Sequence, residues 1–108
     1  MRNFEFKSAI CTSVEQSKRL LELGLKKETA DVYHDLSTGI IEVPYAKVEL
    51  KRELKRNDVI PAWSLHRLME IGEMRDIGFC DISKAYDTAV RVIECRIHAG
   101  FINPEYLE

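Results

Sequence analysis

The sequence lacks any long apolar run. No stretch approaches the roughly 18 consecutive apolar residues of a membrane-spanning helix. The N-terminal residues are interrupted by charges at Arg2, Glu5 and Lys7, where a signal peptide would need a continuous apolar segment. We therefore expect a protein that is neither exported nor inserted in a membrane.

Cysteine is scarce, and the number is odd. Cys11, Cys80 and Cys95 are the three cysteines, and they lie far apart in the chain. An odd number at wide spacing favours reduced thiols over a disulfide framework. The cysteine pattern therefore predicts a cytoplasmic location.

The common catalytic and phosphate-binding motifs are missing as well. The chain has no G-x-G-x-x-G, no Walker-type loop, no G-x-S-x-G and no H-E-x-x-H. Its formal charge is -2, so the whole molecule has no long-range field that would attract nucleic acid. With 108 residues, 45% of them hydrophobic and 31% charged, the composition is typical of one folded domain covering residues 1–108.

What is present predicts alternating helices and strands. Thr12 and Ser13 are both possible N-caps of a first helix, because Glu15 or Gln16 follows three residues later and completes a capping box in either register. Gly24 favours a left-handed ending, and the next residue, Leu25, can supply its hydrophobic contact. Residues 30–45 then predict a β-hairpin, in which Pro44 favours an edge strand.

The segment 58–72, DVIPAWSLHRLMEIG, holds the only tryptophan. It predicts a strand over 58–61 and a helix capped by Ser64, with Trp63 and Leu68 forming a hydrophobic staple. Gly72 is expected to end this helix in a left-handed conformation. We favour Trp63 as a core anchor over a ligand-stacking residue.

The strongest periodic pattern predicts a last helix. It is capped by Asp81 or Ser83, ends before Gly100, and carries one apolar stripe. The stripe consists of Ala85, Tyr86, Ala89, Val90, Ile93 and Ile97. The tail places Phe101, Tyr106 and Leu107 where they can fold back. Together these patterns predict an α+β fold in which a small antiparallel sheet of two or three strands packs against three helices.

Two motifs carry a resemblance to other proteins. E-Q-S-x-R-L-L-x-L-G-L begins at Glu15, and P-A-W-S-L begins at Pro61. With the C-terminal block from Ala85, they resemble a group of small uncharacterised proteins from anaerobic gut bacteria, often encoded in prophage-like or other mobile regions. The resemblance implies a bacterial or phage cytoplasmic origin, and it implies no activity or catalytic residue.

The missing catalytic motifs lead us to expect a non-enzymatic protein-interaction module, either a homo-oligomer or a small adaptor for another protein. Aromatic and aliphatic residues are plentiful near the termini, and an exposed apolar patch among them would serve as the contact surface. The candidate protein contacts are Trp63, Tyr86, Phe101 and Tyr106.

Nucleic-acid binding is the first alternative. It would use the basic residues of the charged segment 47–58, which are Lys47, Lys51, Arg52, Lys55 and Arg56. Glu49 and Glu53 interrupt this run, and no aromatic residue within it offers a stacking surface. The segment is compatible with a short exposed helix or with an extended loop.

An enzyme is the second alternative. It would use Cys95, or the carboxylates Glu70, Glu73, Asp76 and Asp81 around the predicted second helix and its exit. Cys95 and His98 also have the spacing of two metal ligands, with Cys11, His34, His66 and Cys80 as distant candidates to complete a site. A second close ligand pair is missing, so we expect neither a metal nor another cofactor.

Overall fold

A three-stranded sheet and four helices make up the computed structural model, which describes residues 9–75 and 84–108. In chain order the elements are α1 (Val14–Glu22), β1 (Val32–Asp35), β2 (Ile40–Glu42), α2 (Lys47–Glu53), β3 (Val59–Ala62), α3 (Leu65–Gly72) and α4 (Ala85–Ala99). Short 3₁₀ turns span Lys27–Thr29 and Pro104–Tyr106. The predicted α+β class is confirmed.

The sheet has the order β2-β1-β3, and both pairings are antiparallel. His34 of β1 lies opposite Ile41 on one side and Ile60 on the other. The predicted hairpin is confirmed with shorter strands, and the segment after Asp58 supplies the third strand. β2 and β3 are the two edges, which explains why Pro44 follows β2 and why Pro61 is accommodated within β3.

Local sequence signals determine both ends of α1. Ser13 is the N-cap, and it forms the capping box with Gln16, so this register is the one adopted. At the other end Gly24 has φ +100°, and the N–H of Leu25 donates to the Leu20 carbonyl at 3.1 Å. This is the Schellman ending that Gly24 predicts, with Leu25 fully buried.

Ser64 caps α3 as predicted, accepting a hydrogen bond from the Arg67 N–H. Trp63 and Leu68 are both fully buried in the same apolar cluster, which confirms the staple and the core role of Trp63. The prediction for Gly72 is wrong. Gly72 is the last helical residue, and Glu73 adopts the left-handed conformation with φ +53°.

Gly72 lies where α3 approaches its neighbours. A Cβ added there would come within 2.7 Å of Met74 Cε and 3.5 Å of Ile93 Cγ1. The close contact is with the flexible end of the Met74 side chain, and Ile93 lies at ordinary contact distance. Gly72 has no positive φ, so backbone freedom is not what this position requires.

The predicted stripe of α4 is confirmed. Ala85, Ala89, Val90 and Ile93 are buried, and Tyr86 and Ile97 pack against the same main cluster as α3. Lys84 occupies the N-cap position and makes no side-chain cap, while Asp81 and Ser83 lie outside the described residues. Within the described ranges, no helix has both the length and the apolar character needed to cross a bilayer.

The charged segment forms a helix, α2, which settles the choice between helix and loop. Leu50 and Leu54 are buried, and they pack with Tyr33 of β1 and Val59 of β3 in a small second cluster. α2 thus covers part of one sheet face and brings the described helices to four.

The C-terminal tail folds back, although not through every predicted residue. Tyr106 and Leu107 pack against the main cluster, and Leu107 pairs with Leu25 in an isolated β-bridge. Phe101 is 73% exposed, whereas the next residue, Ile102, is buried. Of the three tail residues available to fold back, Phe101 is the one that does not, and Ile102 is buried beside it.

Thr12 joins three parts of the molecule. Its N–H donates to the Trp63 carbonyl at 2.9 Å, and its Oγ1 accepts from the Trp63 N–H at 3.1 Å. Oγ1 also lies 2.7 Å from the hydroxyl of Ser17 in α1, and the Thr12 carbonyl lies 2.7 Å from His34 Nε2 in β1. Because Thr12 and Ser17 are both fully buried, water cannot replace these bonds.

Thr12→Val keeps the shape of the side chain and removes its hydroxyl. We expect the free energy of unfolding to fall by about 1–3 kcal/mol for each buried group left without a partner, here the Trp63 N–H and the Ser17 hydroxyl. Urea unfolding followed by Trp63 fluorescence measures the loss. Thr88→Val is the matched control, since Thr88 is a half-buried helical threonine on α4. Equal stabilities of the two variants would contradict this role of Thr12.

Candidate protein-interaction surface

Most of the large apolar side chains that are exposed among the described residues lie around β2 and the start of α2. Ile40 is 54% exposed, Val43 64%, Val48 77% and Tyr45 fully exposed, and Ile41 lies beside them in β2. We call these five residues the edge surface. Scattered exposed apolar residues are ordinary, whereas a run of them along one strand and its exit is typical of a binding surface.

Local chemistry produces this arrangement. The turn after β1 is fixed by Asp35, whose carboxylate accepts hydrogen bonds from the Ser37 N–H and hydroxyl, and by Gly39 with φ +74°. β2 ends at Glu42, and Pro44, which has no backbone N–H, lies two residues beyond it. The N–H of Tyr45 donates to Glu49 in α2, so the chain turns away immediately and leaves the Tyr45 ring in solvent.

β2 is also an open sheet edge. It pairs with β1 along one side, and among the described residues no strand pairs with its other side. Its three residues are all exposed. A strand edge of this kind presents backbone N–H and C=O groups that can accept a further strand.

The exposed side of α2 makes the neighbourhood basic. Lys47, Lys51, Arg52 and Lys55 are exposed, whereas the acidic residues between them, Glu49 and Glu53, are half-buried. Positive charge therefore lies beside Val48 and Tyr45. Four of the five predicted nucleic-acid contacts remain available on this side.

Arg56, the fifth, is engaged with carboxylates. Its guanidinium lies 2.9 Å from Glu53, 3.1 Å from Asp58 and 3.5 Å from Asp35. Hydrogen bonds to Glu53 and then Asp58 raise the pKa of Arg56 above its ordinary value. The structure therefore assigns Arg56 to holding the end of α2 against the sheet.

The four predicted protein contacts do not form one patch. Trp63 has no accessible surface, so we reassign it to the core. The Tyr86 hydroxyl donates to the Ala9 carbonyl and accepts from the Leu65 N–H, and Tyr106 packs against the main cluster. Phe101 alone of the four exposes most of its side chain. Its contact role stays a prediction.

The catalytic and metal candidates are not drawn together either. Cys95, His98, Glu70 and Glu73 are exposed, while Cys80, Asp76 and Asp81 lie outside the described residues. Among the described residues, no three histidine, cysteine or acidic side chains are grouped so that they could hold a metal.

Cys11 and His34 form a pair that the sequence did not reveal, because 23 positions separate them. Cys11 Sγ lies 3.8 Å from His34 Nε2, which lies 2.7 Å from the Thr12 carbonyl oxygen. A carbonyl only accepts, so Nε2 carries the hydrogen and cannot take the proton of the thiol. Burial, followed by the charge of Asp31, raises the pKa of Cys11 to about 11. This pair does not produce a nucleophilic thiolate.

No protein-family model matches the chain, and neither a curated protein nor a solved structure matches it. The resemblance carried by the two sequence motifs therefore stays a prediction. Functional inference rests on the geometry of the described residues.

The two described cysteines should react differently with iodoacetamide near pH 8. Cys95 is exposed, whereas Cys11 is buried and has a raised pKa, so we expect alkylation of Cys95 and protection of Cys11. Peptide mapping by mass spectrometry measures both sites, and labelling in urea provides the control for full reactivity. Rapid alkylation of Cys11 in the folded protein would overturn the assignment.

Asp35 should contribute stability that depends on pH. Hydrogen bonds from Ser37, followed by the charge of Arg56, lower its pKa below 3.8. The stabilisation is therefore present above pH 3.8 and is lost as the pH falls through the folded-state pKa. We expect Asp35→Asn to be less stable than the wild type at neutral pH, with a difference that shrinks in acid.

Urea titrations at a series of pH values measure this difference. Glu42→Gln is the control, since Glu42 is an exposed carboxylate on the neighbouring strand. A difference between Asp35→Asn and wild type that stays constant from neutral to acidic pH would rule out the linkage.

Proposed function

We propose that this protein is a non-enzymatic interaction module, an adaptor that binds an extended segment of a partner protein along β2. The proposal rests on a strand edge that none of the described strands covers and that carries exposed apolar side chains. Strand addition uses the backbone for affinity and the side chains for specificity.

The edge surface offers apolar contacts on both sides of an added strand. Ile41 lies opposite His34, and Ile40 lies opposite Asp35, so the two isoleucines point to opposite faces of the sheet. Val43 and Tyr45 continue the surface past the end of β2, and Val48 extends it onto α2. A bound segment with alternating apolar residues would bury these side chains.

The basic residues next to the edge surface favour a partner with acidic residues. Lys47, Lys51 and Arg52 are exposed beside Val48. Complementary charge steers association and disfavours wrong partners. We therefore propose an extended segment whose apolar residues pair along β2 and whose acidic residues lie beside α2, away from the exposed carboxylate of Glu42. The free thiols of Cys11 and Cys95 fit our expectation that this binding takes place in the cytoplasm.

A display library of short random peptides tests the proposal. We expect the wild type to enrich peptides that combine alternating apolar residues with acidic ones. Val43→Glu removes an apolar contact and adds a repelling charge, so it should weaken the selected peptides by roughly tenfold or more. Phe101→Glu is the matched control, because Phe101 is an exposed apolar residue outside the edge surface.

Each alternative gives a distinct outcome. The selected peptides could bind Val43→Glu as tightly as they bind wild type and fail to bind Phe101→Glu. That result would place the contact at Phe101 and overturn the proposal that the edge surface binds the partner. Concentration-dependent dimerisation abolished by Val43→Glu would show that the occupant is a second copy. Salt-sensitive binding of a labelled oligonucleotide, lost in Lys51→Glu/Arg52→Glu but kept in Val43→Glu, would favour the nucleic-acid function instead.

A further inference from the structure

A cavity of about 360 Å³ lies away from the β2 edge, between α3, the start of α2 and the two 3₁₀ turns. Its walls include Lys26, Thr29, Lys47, Arg67, Ile71 and Tyr106. The volume is in the range of small-molecule sites, roughly 300–1,000 Å³. Lys47 and Glu70 also belong to functional candidates described earlier, but Lys26, Thr29, Arg67, Ile71 and Tyr106 do not take part in the proposed strand addition.

Arg67 is the unusual residue of the wall. Its Nε is buried, and it has no hydrogen-bond partner within the part of the chain that the structure describes. Other arginines behave differently: Arg19 is paired with Glu94, and Arg96 donates to the Gly72 carbonyl. No carboxylate among the described residues forms an ion pair with Arg67, so the charge of its guanidinium is available to a ligand in the cavity.

The charges of the wall are separated by depth. The half-buried cations are Lys26 and Arg67, whereas the lining carboxylates, Glu28, Glu70 and Glu105, belong to exposed residues. The more buried of the charged lining residues are therefore positive, while Lys47 is an exposed cation of the same wall. The acidic rim disfavours a ligand with several negative charges, such as a polynucleotide.

The remaining wall is fixed and partly apolar. Thr29 Oγ1 donates to the Lys26 carbonyl and accepts from Trp63 Nε1, so this turn is held against the core. Ile71 is buried, and Tyr106 is half-buried. These residues offer a surface for the uncharged part of a small molecule next to the cations.

We propose that this cavity binds a small molecule through a single phosphate or carboxylate group, which pairs with the guanidinium of Arg67 and lies near Lys26. Phosphate and carboxylate share the chemistry that a guanidinium recognises. The proposal does not depend on strand addition at β2. Arg67 belongs to α3, and none of the edge-surface residues is required for this binding.

Titration of the isotopically labelled protein with sodium phosphate, and separately with sodium acetate, tests the inference by NMR. Sodium chloride keeps the ionic strength constant. We expect saturable shifts of the Arg67 Nε–H resonance and of the Thr29 and Ile71 amides. Tighter saturation by one of the two anions identifies the preferred group.

Variants decide whether the shifts report this site. Arg67→Gln should need about tenfold more anion, the effect expected from losing a charge-assisted hydrogen bond. Arg91→Gln is the control, because Arg91 is exposed on α4 outside this cavity. Arg67→Lys keeps the charge and the aliphatic stem, so it provides a second test if the glutamine variant fails to fold.

Two results would overturn the proposal. One is linear, unsaturated shifts spread along the lysines of α2, which would indicate a general ionic effect. The other is binding by Arg67→Lys and by any folded Arg67→Gln that is as tight as in wild type.

Discussion

The reciprocal hydrogen bonds between Thr12 and Trp63 are the constraint on which the arrangement of the other elements depends. The two residues exchange backbone and side-chain hydrogen bonds where β3 ends and α3 begins. The same threonine reaches Ser17 in α1 and His34 in β1. The indole of Trp63, in turn, holds the turn at Thr29. One buried polar junction thus sets the position of a helix, a strand and a turn around a single aromatic side chain.

The two candidate sites lie where the helices positioned by this junction leave part of the protein surface exposed. The main cluster joins α1, α3 and α4, while α2 covers only the part of the sheet around Tyr33 and Val59. β2 lies at the far edge of the sheet from β3, beyond this cover. The cavity beside Arg67 arises where α2 and the C-terminal turn meet α3 without filling the space between them. Both sites therefore lie next to the start of α2, where Lys47 borders the cavity and also belongs to the basic side of that helix.

Signals between residues in the same or neighbouring turns of the chain could be predicted from the sequence. Ser13 with Gln16, Gly24 with Leu25, and Trp63 with Leu68 each predict their structure because the interacting atoms belong to neighbouring turns. The stripe on α4 is similarly local.

Features that depend on residues far apart in the chain could not be predicted from the sequence. Thr12 and Trp63 are 51 positions apart, so Thr12 could be recognised only as an alternative cap. Gly72 carries the signal of a helix end, yet Glu73 is the residue that adopts the left-handed conformation. The exposure of Val43 and Val48 depends on which faces the other elements cover, and apolar composition alone does not reveal that. The unpaired Nε of Arg67 is visible only when every neighbouring acceptor is known.

The sequence in and just after β2 contains residues that oppose self-templated fibres. Gly39 to Pro44 reads G-I-I-E-V-P, and an apolar edge of this kind is a hazard for open-ended stacking during folding. Glu42 places a charge inside the strand, and Pro44 removes a backbone donor just beyond it, both of which act as gatekeepers. The pairing surface is consequently short, so one strand can dock while indefinite growth is opposed. Under the proposed strand addition, a segment held by so few backbone bonds should also dissociate quickly.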